Sequence, residues 1–353
     1  MTLRLYIMRL MAVRTLIAAV VLLAILQILD LLDITTQVLN RGLGLQGLGH
    51  YALLRLPALF RQIAPLSVLI GVVFAFLQLA RDNAVVAMRA AGISLYQLAL
   101  MGVPIAGAVA VADLVVIQTA SSQAQLTLDT WWNATAPPGD RAEAKVRPFR
   151  VGADVVLARQ SGLDGRRLDD VRIYERNGDG ELTRRIVASS AVYTDHAWRL
   201  HQPTFTRLGK LDVVSTSAGQ MMWTNSLRPV DVQALFAPNR PLTTGAARRA
   251  LAGGPAERPA AFYLTQLNRL FAEPLGALVM LLLAMPAAFV DFRAGSGIRL
   301  TSIGLGGGLV YLVCDGLMTA LAETGALPSV VGAWFAPVLF LAAAATTVLY
   351  LEG

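Results

Sequence analysis

Ionisable side chains inside apolar sequence are the first candidates for chemistry, because a charge at membrane depth is costly and needs a partner or a task. Asp30 and Asp33 stand at the end of the first long apolar run, and Asp315 lies deep in a later one. Glu273 follows Arg269 by four residues, a spacing that places both on one face of a helix as an ion pair. Such groups can tie helices together or meet a charged group passing between them. They do not form a nucleophile, base and acid constellation, so no covalent catalysis is expected. His50, His196 and His201 are the only histidines, and none has a cysteine or glutamate at ligand spacing. No metal and no cofactor are expected. Gly42, Gly44 and Gly47 match G-x-G-x-x-G, but the fingerprint requires a preceding strand and an acidic residue about 20 positions on, and here an apolar helix precedes it. The stretch reads instead as a flexible loop outside the bilayer. No G-x-x-x-x-G-K-[ST] occurs, so any ATP hydrolysis belongs to a separate subunit. Cys314, the lone cysteine, is read as a small buried hydrophobe.

These residues need positioning by membrane helices. The chain is 55% hydrophobic and only 15% charged, too apolar for an ordinary soluble domain. Six segments can cross a bilayer: 15–32, 60–79, 95–118, 266–289, 299–321 and 330–350. Residues 3–13, with Arg4 and Arg9 among leucines, suit an amphipathic stretch at the interface before the first span. Between the third and fourth spans the character changes to short alternating runs. These include 154–159, 171–174, 182–187, 192–200, 204–208 and 211–214, with a turn signal at Asn177-Gly178-Asp179-Gly180. The expected fold is therefore an α-helical polytopic membrane protein carrying an inserted all-β, jelly-roll-like domain. The divisions are 1–119 for the first three spans, 120–262 for the β domain and its connector, and 263–353 for the last three spans. Within the second part, 246–258 reads as a mobile connector. The net charge of +7 comes almost wholly from scattered arginines, without a basic run, which excludes a nucleic-acid partner.

Short loops on one side carry Arg4, Arg9, Arg14, Arg81, Arg89, Arg293 and Arg299; those opposite carry Arg41, Arg55 and Arg61. The bias puts both termini in the cytoplasm and the β domain outside it. In the loop after span two, Asp82 or Asn83 can cap a short helix and Gly92 can end it. That element, over about 83–91, would show Val85, Val86 and Met88 beside Arg89, as a helix that docks on a cytoplasmic partner would. Gly304, Gly307 and Gly308 share a face in span five, which suits either tight static packing or a gate that parts from its neighbour.

Ala64-Pro65 to Gly71, Leu79-Ala80-Arg81-Asp82-Asn83 to Gly92, Phe271-Ala272-Glu273-Pro274 to Met280, and Gly325 to Pro328 with Trp334 and Pro337 together resemble the LptF/LptG (YjgP/YjgQ) permeases of lipopolysaccharide export. The closing pattern is more similar to the LptG branch than to LptF. The resemblance covers essentially the whole chain. It implies a multi-pass subunit of the bacterial inner membrane with a periplasmic jelly roll, paired with an LptF-type paralogue and driven by an LptB-type ATPase. Lipopolysaccharide would be handed to an LptC-type protein and a periplasmic bridge. By this resemblance Arg81, Asp82, Asn83, Val85, Val86, Met88 and Arg89 would couple to the ATPase. Leu22, Ile25 and Leu29 of span one, with Ile303, Gly304, Leu305, Gly308 and Leu309 of span five, would line the lateral gate and lipid cavity. Two departures bear on the sites. Relatives often carry an acid near position 84, where this chain has Ala84. The lysines that some relatives place at the outer end of span one are absent, which leaves Arg41, Arg55 and Arg61 for the lipid head group. Rival readings are the paralogous LptF-type subunit itself and a membrane protein that transmits ATP-driven motion to its β domain without carrying lipid.

Overall fold

The computed structural model describes residues 3–135, 146–161, 164–177, 181–208, 213–225, 227–236, 244–289 and 297–352. It divides into two compact units, Met1–Gln125 with Leu264–Gly353, and Leu126–Tyr263. The helices in order are α1 (Leu3–Asn40), α2 (Gly44–Arg81), α3 (Ala84–Ala90), α4 (Leu95–Val115), a π-helical turn (Val116–Ser121) and α5 (Ser122–Ala134). After the strands come α6 (Pro229–Phe236), α7 (Thr244–Leu251), α8 (Ala260–Leu283) with a 3₁₀ turn (Met285–Phe289), α9 (Gly297–Glu323) and α10 (Ser329–Glu352). Among the described residues six helices are long and apolar enough to cross a membrane. In lipid every backbone amide must be satisfied within its own segment, and helices do this.

The first two helices are longer than expected. At 1.5 Å per residue, 38 residues reach about 57 Å, well beyond a hydrocarbon core of about 30 Å. The opening segment is not a separate interfacial stretch: it runs unbroken into α1, and Ile7 and Met11 are fully buried in the helical core. Nor is the glycine-rich stretch a flexible loop. Gly42 takes a left-handed φ of 71°, Arg41 and Gly42 donate back to Gln37 and Leu39, and α2 starts at Gly44. Gly47 is already inside the helix, with no room for a nucleotide's phosphates: an added Cβ would stand 2.5 Å from that of Leu43.

The core of the helical unit is built by α2, α4, α8 and the 3₁₀ turn, around Val68, Leu69, Val72, Phe76, Leu98, Met280 and Leu281. Between apolar helices in lipid, close packing through small residues supplies the adhesion. The glycine face of α9 is used this way. A Cβ at Gly304 would meet the Leu283 carbonyl oxygen at 2.6 Å, and one at Gly308 would meet Leu69 Cδ2 at 2.2 Å. Gly306, by contrast, faces open space. Gly304→Val should therefore destabilise the detergent-solubilised protein by about 1–3 kcal/mol, the usual range for overpacking. Gly306→Ala should not destabilise it, since helix propensity favours alanine by about 0.5–1 kcal/mol; thermal unfolding of both variants checks this.

The inserted unit is all antiparallel. Its strands are β1 (Arg147–Val151), β2 (Asp154–Gln160), β3 (Arg167–Arg176), β4 (Leu182–Thr194), β5 (Ala197–His201), β6 (Thr204–Leu208), β7 (Val213–Ser217) and β8 (Gln220–Trp223). One sheet runs β1-β2-β3-β4-β5-β8, and β6 with β7 branches from β4. The branch arises because β4 is 13 residues long: Arg184–Val187 pair with β6 and Ser190–Thr194 with β5 along the same edge. The run expected as one strand over 192–200 is split by Asp195 and His196, both at positive φ, into a hairpin. Positions 178–180 of the expected turn lie outside the described residues, while Asn177 and Glu181 close that hairpin with a backbone bond of 3.0 Å. The period of two buries Val156 and Ala158, Val171 and Ile173, and Ile186 and Ala188 on one face. Trp198 is fully buried there, and its indole N–H donates to the Leu227 carbonyl at 2.9 Å. The segment read as a mobile connector holds most of α7, and Ala256 bridges to Arg150 of β1.

Asp154 opens β2, where burial raises its carboxyl above the ordinary carboxylate range; Glu175 adds to this, against a backbone hydrogen bond from Arg176 and the nearby Arg184. The folded state thus binds the proton more tightly than the unfolded chain. That contribution to stability is present at low pH and is lost as pH rises through the folded value. Asp154→Asn should raise the unfolding temperature at pH 7 by on the order of 1 °C, solvent screening keeping the gain small. The gain should shrink as pH falls and vanish by about pH 3, below the unfolded chain's carboxylate range, as read by tryptophan emission during heating.

Candidate functional site

Charged side chains from four spans converge in the helical unit, in the half of the spans that leads to the insert. Asp113 stands near the end of α4, Arg269 and Glu273 in the first half of α8, and Asp315 and Thr319 in the second half of α9; Arg61 comes from α2. They border a cavity of about 500 Å³. Glu273 is the hub. It accepts from Arg61 at 2.7 and 2.9 Å and from Arg269 at 3.2 Å, the second contact being the pairing expected within one helix. Arg269 reaches on to Asp315 at 3.3 Å and donates to the hydroxyl of Thr319. The chain of contacts therefore runs α2–α8–α9. Arg269, Glu273 and Asp315 are 19%, 14% and 19% exposed at the side chain, so none is a solvated surface charge. Above them Gln266 donates to Glu323 at 2.7 Å. An added Cβ on Gly276 would meet the Tyr311 hydroxyl at 2.9 Å, so the glycine makes room for that ring at the cavity wall.

Of the arginines expected at a lipid head group, Arg55 and Arg61 are held by carboxylates. Arg55 grips Asp30 with both a near and a far nitrogen, the closest contact being 3.0 Å, and Arg61 is held by Glu273. Arg41 lies in the α1–α2 turn, away from the α8–α9 cluster in sequence and outside the cavity lining. Asp33 is exposed.

The gate residues divide. Ile25, Leu29, Ile303, Leu305 and Leu309 turn large apolar side chains outward, each between 38% and 54% exposed, and Leu22 is half-buried. Gly304 and Gly308 face inward, against α8 and α2. The coupling segment divides too. Asn83 at φ 54° and Gly92 at φ 80° bracket α3, and Ile93 N–H returns to the Met88 carbonyl at 2.9 Å. Asp82 closes α2 instead of capping α3 with its side chain, its N–H donating to Gln78. Val85 and Met88 are buried in the helical core at 6% and 5%, and only Val86 of the three is presented outward, at 68%. The expectation that all three form an outward face is corrected: a seven-residue helix lying on its own unit spends two of them as anchors. Arg81 is exposed.

Asp113, Gln266, Thr319 and Glu323 were not expected at the site. Each had a signal: Asp113 interrupts an apolar run, and 266, 269 and 273, like 315, 319 and 323, repeat at helical spacing on one face.

A charged cavity between spans, an outward apolar α1 and α9, and an inserted antiparallel sheet set the terms for comparison with known proteins. The chain matches the family described as "Lipopolysaccharide export system permease LptF/LptG" over residues 5–350. It belongs to the LptF/LptG family. A curated relative, the lipopolysaccharide export system permease protein LptG of Haemophilus influenzae, is 23% identical over 297 residues, covering 82% of this chain and 81% of the relative. The match runs through the spans and the β unit alike, so the LptF/LptG plan accounts for the whole architecture and makes the chain a multi-pass permease subunit of an export system.

Proposed function

We propose that this chain is the LptG-type transmembrane subunit of an ATP-driven lipopolysaccharide exporter. It takes lipopolysaccharide from the outer leaflet of the bacterial inner membrane and passes it to a periplasmic β bridge. The observation that carries this is the continuous family match across both units, which joins a lipid-facing helical part to a sheet of the kind a bridge extends. The arginine bias of the short loops supports cytoplasmic termini and a periplasmic β domain. An LptF-type paralogue would complete the cavity, an LptB-type ATPase dimer would push on α3, and an LptC-type protein would receive the lipid. In this reading Ile25 and Leu29 of α1 and Ile303, Leu305 and Leu309 of α9 contact acyl chains, while Arg41 and the Arg55–Asp30 pair stand at the head-group level. ATP closure narrows the cavity only in so far as nucleotide binds the closed state more tightly.

The test is photocrosslinking in the reconstituted complex. Photoreactive residues at 25, 29, 303 and 309 should capture lipopolysaccharide before ATP is added and lose it after turnover. Capture at none of them, with ATPase activity intact, would favour motion transmitted to the β domain without lipid passage.

A further inference from the structure

The cavity holds more acid than its arginines can satisfy. Glu273 is shared by Arg61 and Arg269, and Asp315 takes a further nitrogen of Arg269. Both guanidinium groups are committed to carboxylates. Two carboxylates lining the same space remain. Glu323 accepts from the neutral amide of Gln266. Oδ1 of Asp113 is wholly shielded from solvent and has no hydrogen-bond partner among the described residues. A carboxylate oxygen withdrawn from water and left without a donor is strongly unfavourable unless a cation or donor meets the carboxylate or a proton neutralises it. Oδ1 itself is closed to water, but Asp113 borders the void of about 500 Å³, so a cation in that space meets the carboxylate from its cavity side.

The chemistry of that partner follows from the balance of charge. A phosphate entering the cavity would face the two leftover acids. It could reach a guanidinium only by breaking Glu273 away, stranding a buried carboxylate. A metal ion is poorly served, because among the described residues no group of three or more His, Cys, Asp or Glu side chains is spaced to hold one. An ammonium has three donors, one positive charge and no need of a closed ligand shell. The hydroxyl of Tyr311 and the amide of Gln266 on the same wall suit the hydroxyls of a sugar that carries it.

We propose that this cavity is a recognition site for a positively charged amine on the amphipathic substrate, with Asp113 as its principal acceptor and Glu323 as the second acid. The inference rests on the permease reading and names which part of the lipid the α2–α4–α8–α9 cavity takes: an amino group, with phosphates held elsewhere.

The experiment is native mass spectrometry of the purified complex in neutral detergent, with dodecylamine, dodecyl phosphate and spermidine as probes. The wild type should retain dodecylamine, and dodecyl phosphate only at the background of the detergent. Asp113→Asn removes an unpartnered charge and should fold; it should weaken dodecylamine binding at least tenfold, and Glu323→Gln should weaken it less. Unchanged binding in both variants overturns the proposal, as does preferential retention of dodecyl phosphate. Spermidine bound without dodecylamine also overturns it, by assigning the site to a soluble amine. The photocrosslinking above separates the two levels. Lipopolysaccharide captured at α1 and α9 without dodecylamine binding sinks this inference alone. Dodecylamine bound at Asp113 without any capture sinks the permease reading and leaves an amine site.

Discussion

Arg269→Leu should be the most damaging single substitution in the helical unit. Arg269 is the cation that joins Glu273 of its own helix to Asp315 and Thr319 of α9. Replacing it with a shorter apolar residue strands Asp315, which has no other cationic partner described, and leaves Glu273 to Arg61 alone. Removing one member of a buried pair typically costs about 3–5 kcal/mol, because the charge left behind has lost its compensation. The expected result is a protein that expresses poorly and unfolds at much lower temperature in detergent. The double variant Arg269→Leu with Asp315→Leu should recover most of that loss, since Glu273 keeps Arg61 at 2.7 Å. Replacing both partners with well-packed apolar residues is often nearly neutral. If the single variant is as stable as the wild type, the ion chain does not hold α8 to α9. If the double variant is no better than the single, the damage lies in lost packing, not stranded charge.

The same cluster shows how much was legible beforehand. The six spans, the inserted β unit and the approximate positions of β2 to β7, though not of β1 or β8, follow from runs of apolar residues about 20 long and from alternation with period two. Both are local properties of the chain. So was the Arg269–Glu273 pair, which is four residues apart. Arg61 joining Glu273 across 212 positions was not legible, because nothing in either segment states which helices are neighbours. The same limit explains the arginines at the head-group level. Arg55 and Arg61 look available along the chain, and Asp30 and Glu273 claim them only once α1, α2 and α8 are packed. The strand branching at β4 was hidden for a related reason: a 13-residue strand looks like any long strand until its far edge is seen to be shared. Boundaries failed where helix continued past the apolar run, as at the start of α1. There Ile7 and Met11 have core partners that a hydropathy window cannot see.

Val86→Asp is the second substitution expected to have a large effect, and α3 explains why it must be this residue. A substitution at Val85 or Met88 would place a carboxylate in the helical core, where both are buried, and would unfold the region without saying anything about docking. Val86 is 68% exposed on the same short helix, so an aspartate there stays in water and leaves the fold alone. A residue that merely faces lipid head groups or solvent would tolerate the change within about 0.5 kcal/mol of stability. If α3 is the element on which an ATPase subunit pushes, a carboxylate at the centre of that contact is buried without a partner on docking. Lipopolysaccharide-stimulated ATP hydrolysis by the reconstituted complex should then fall at least tenfold, while the unfolding temperature of the isolated chain stays within a degree or two. Val86→Leu enlarges the same side chain without charge and should retain most of the stimulated rate. Full stimulated hydrolysis in the aspartate variant would remove α3 from the coupling path. A loss in both variants would mean that the contact is too tight for any added volume, which co-purification of the complex would reveal as dissociation.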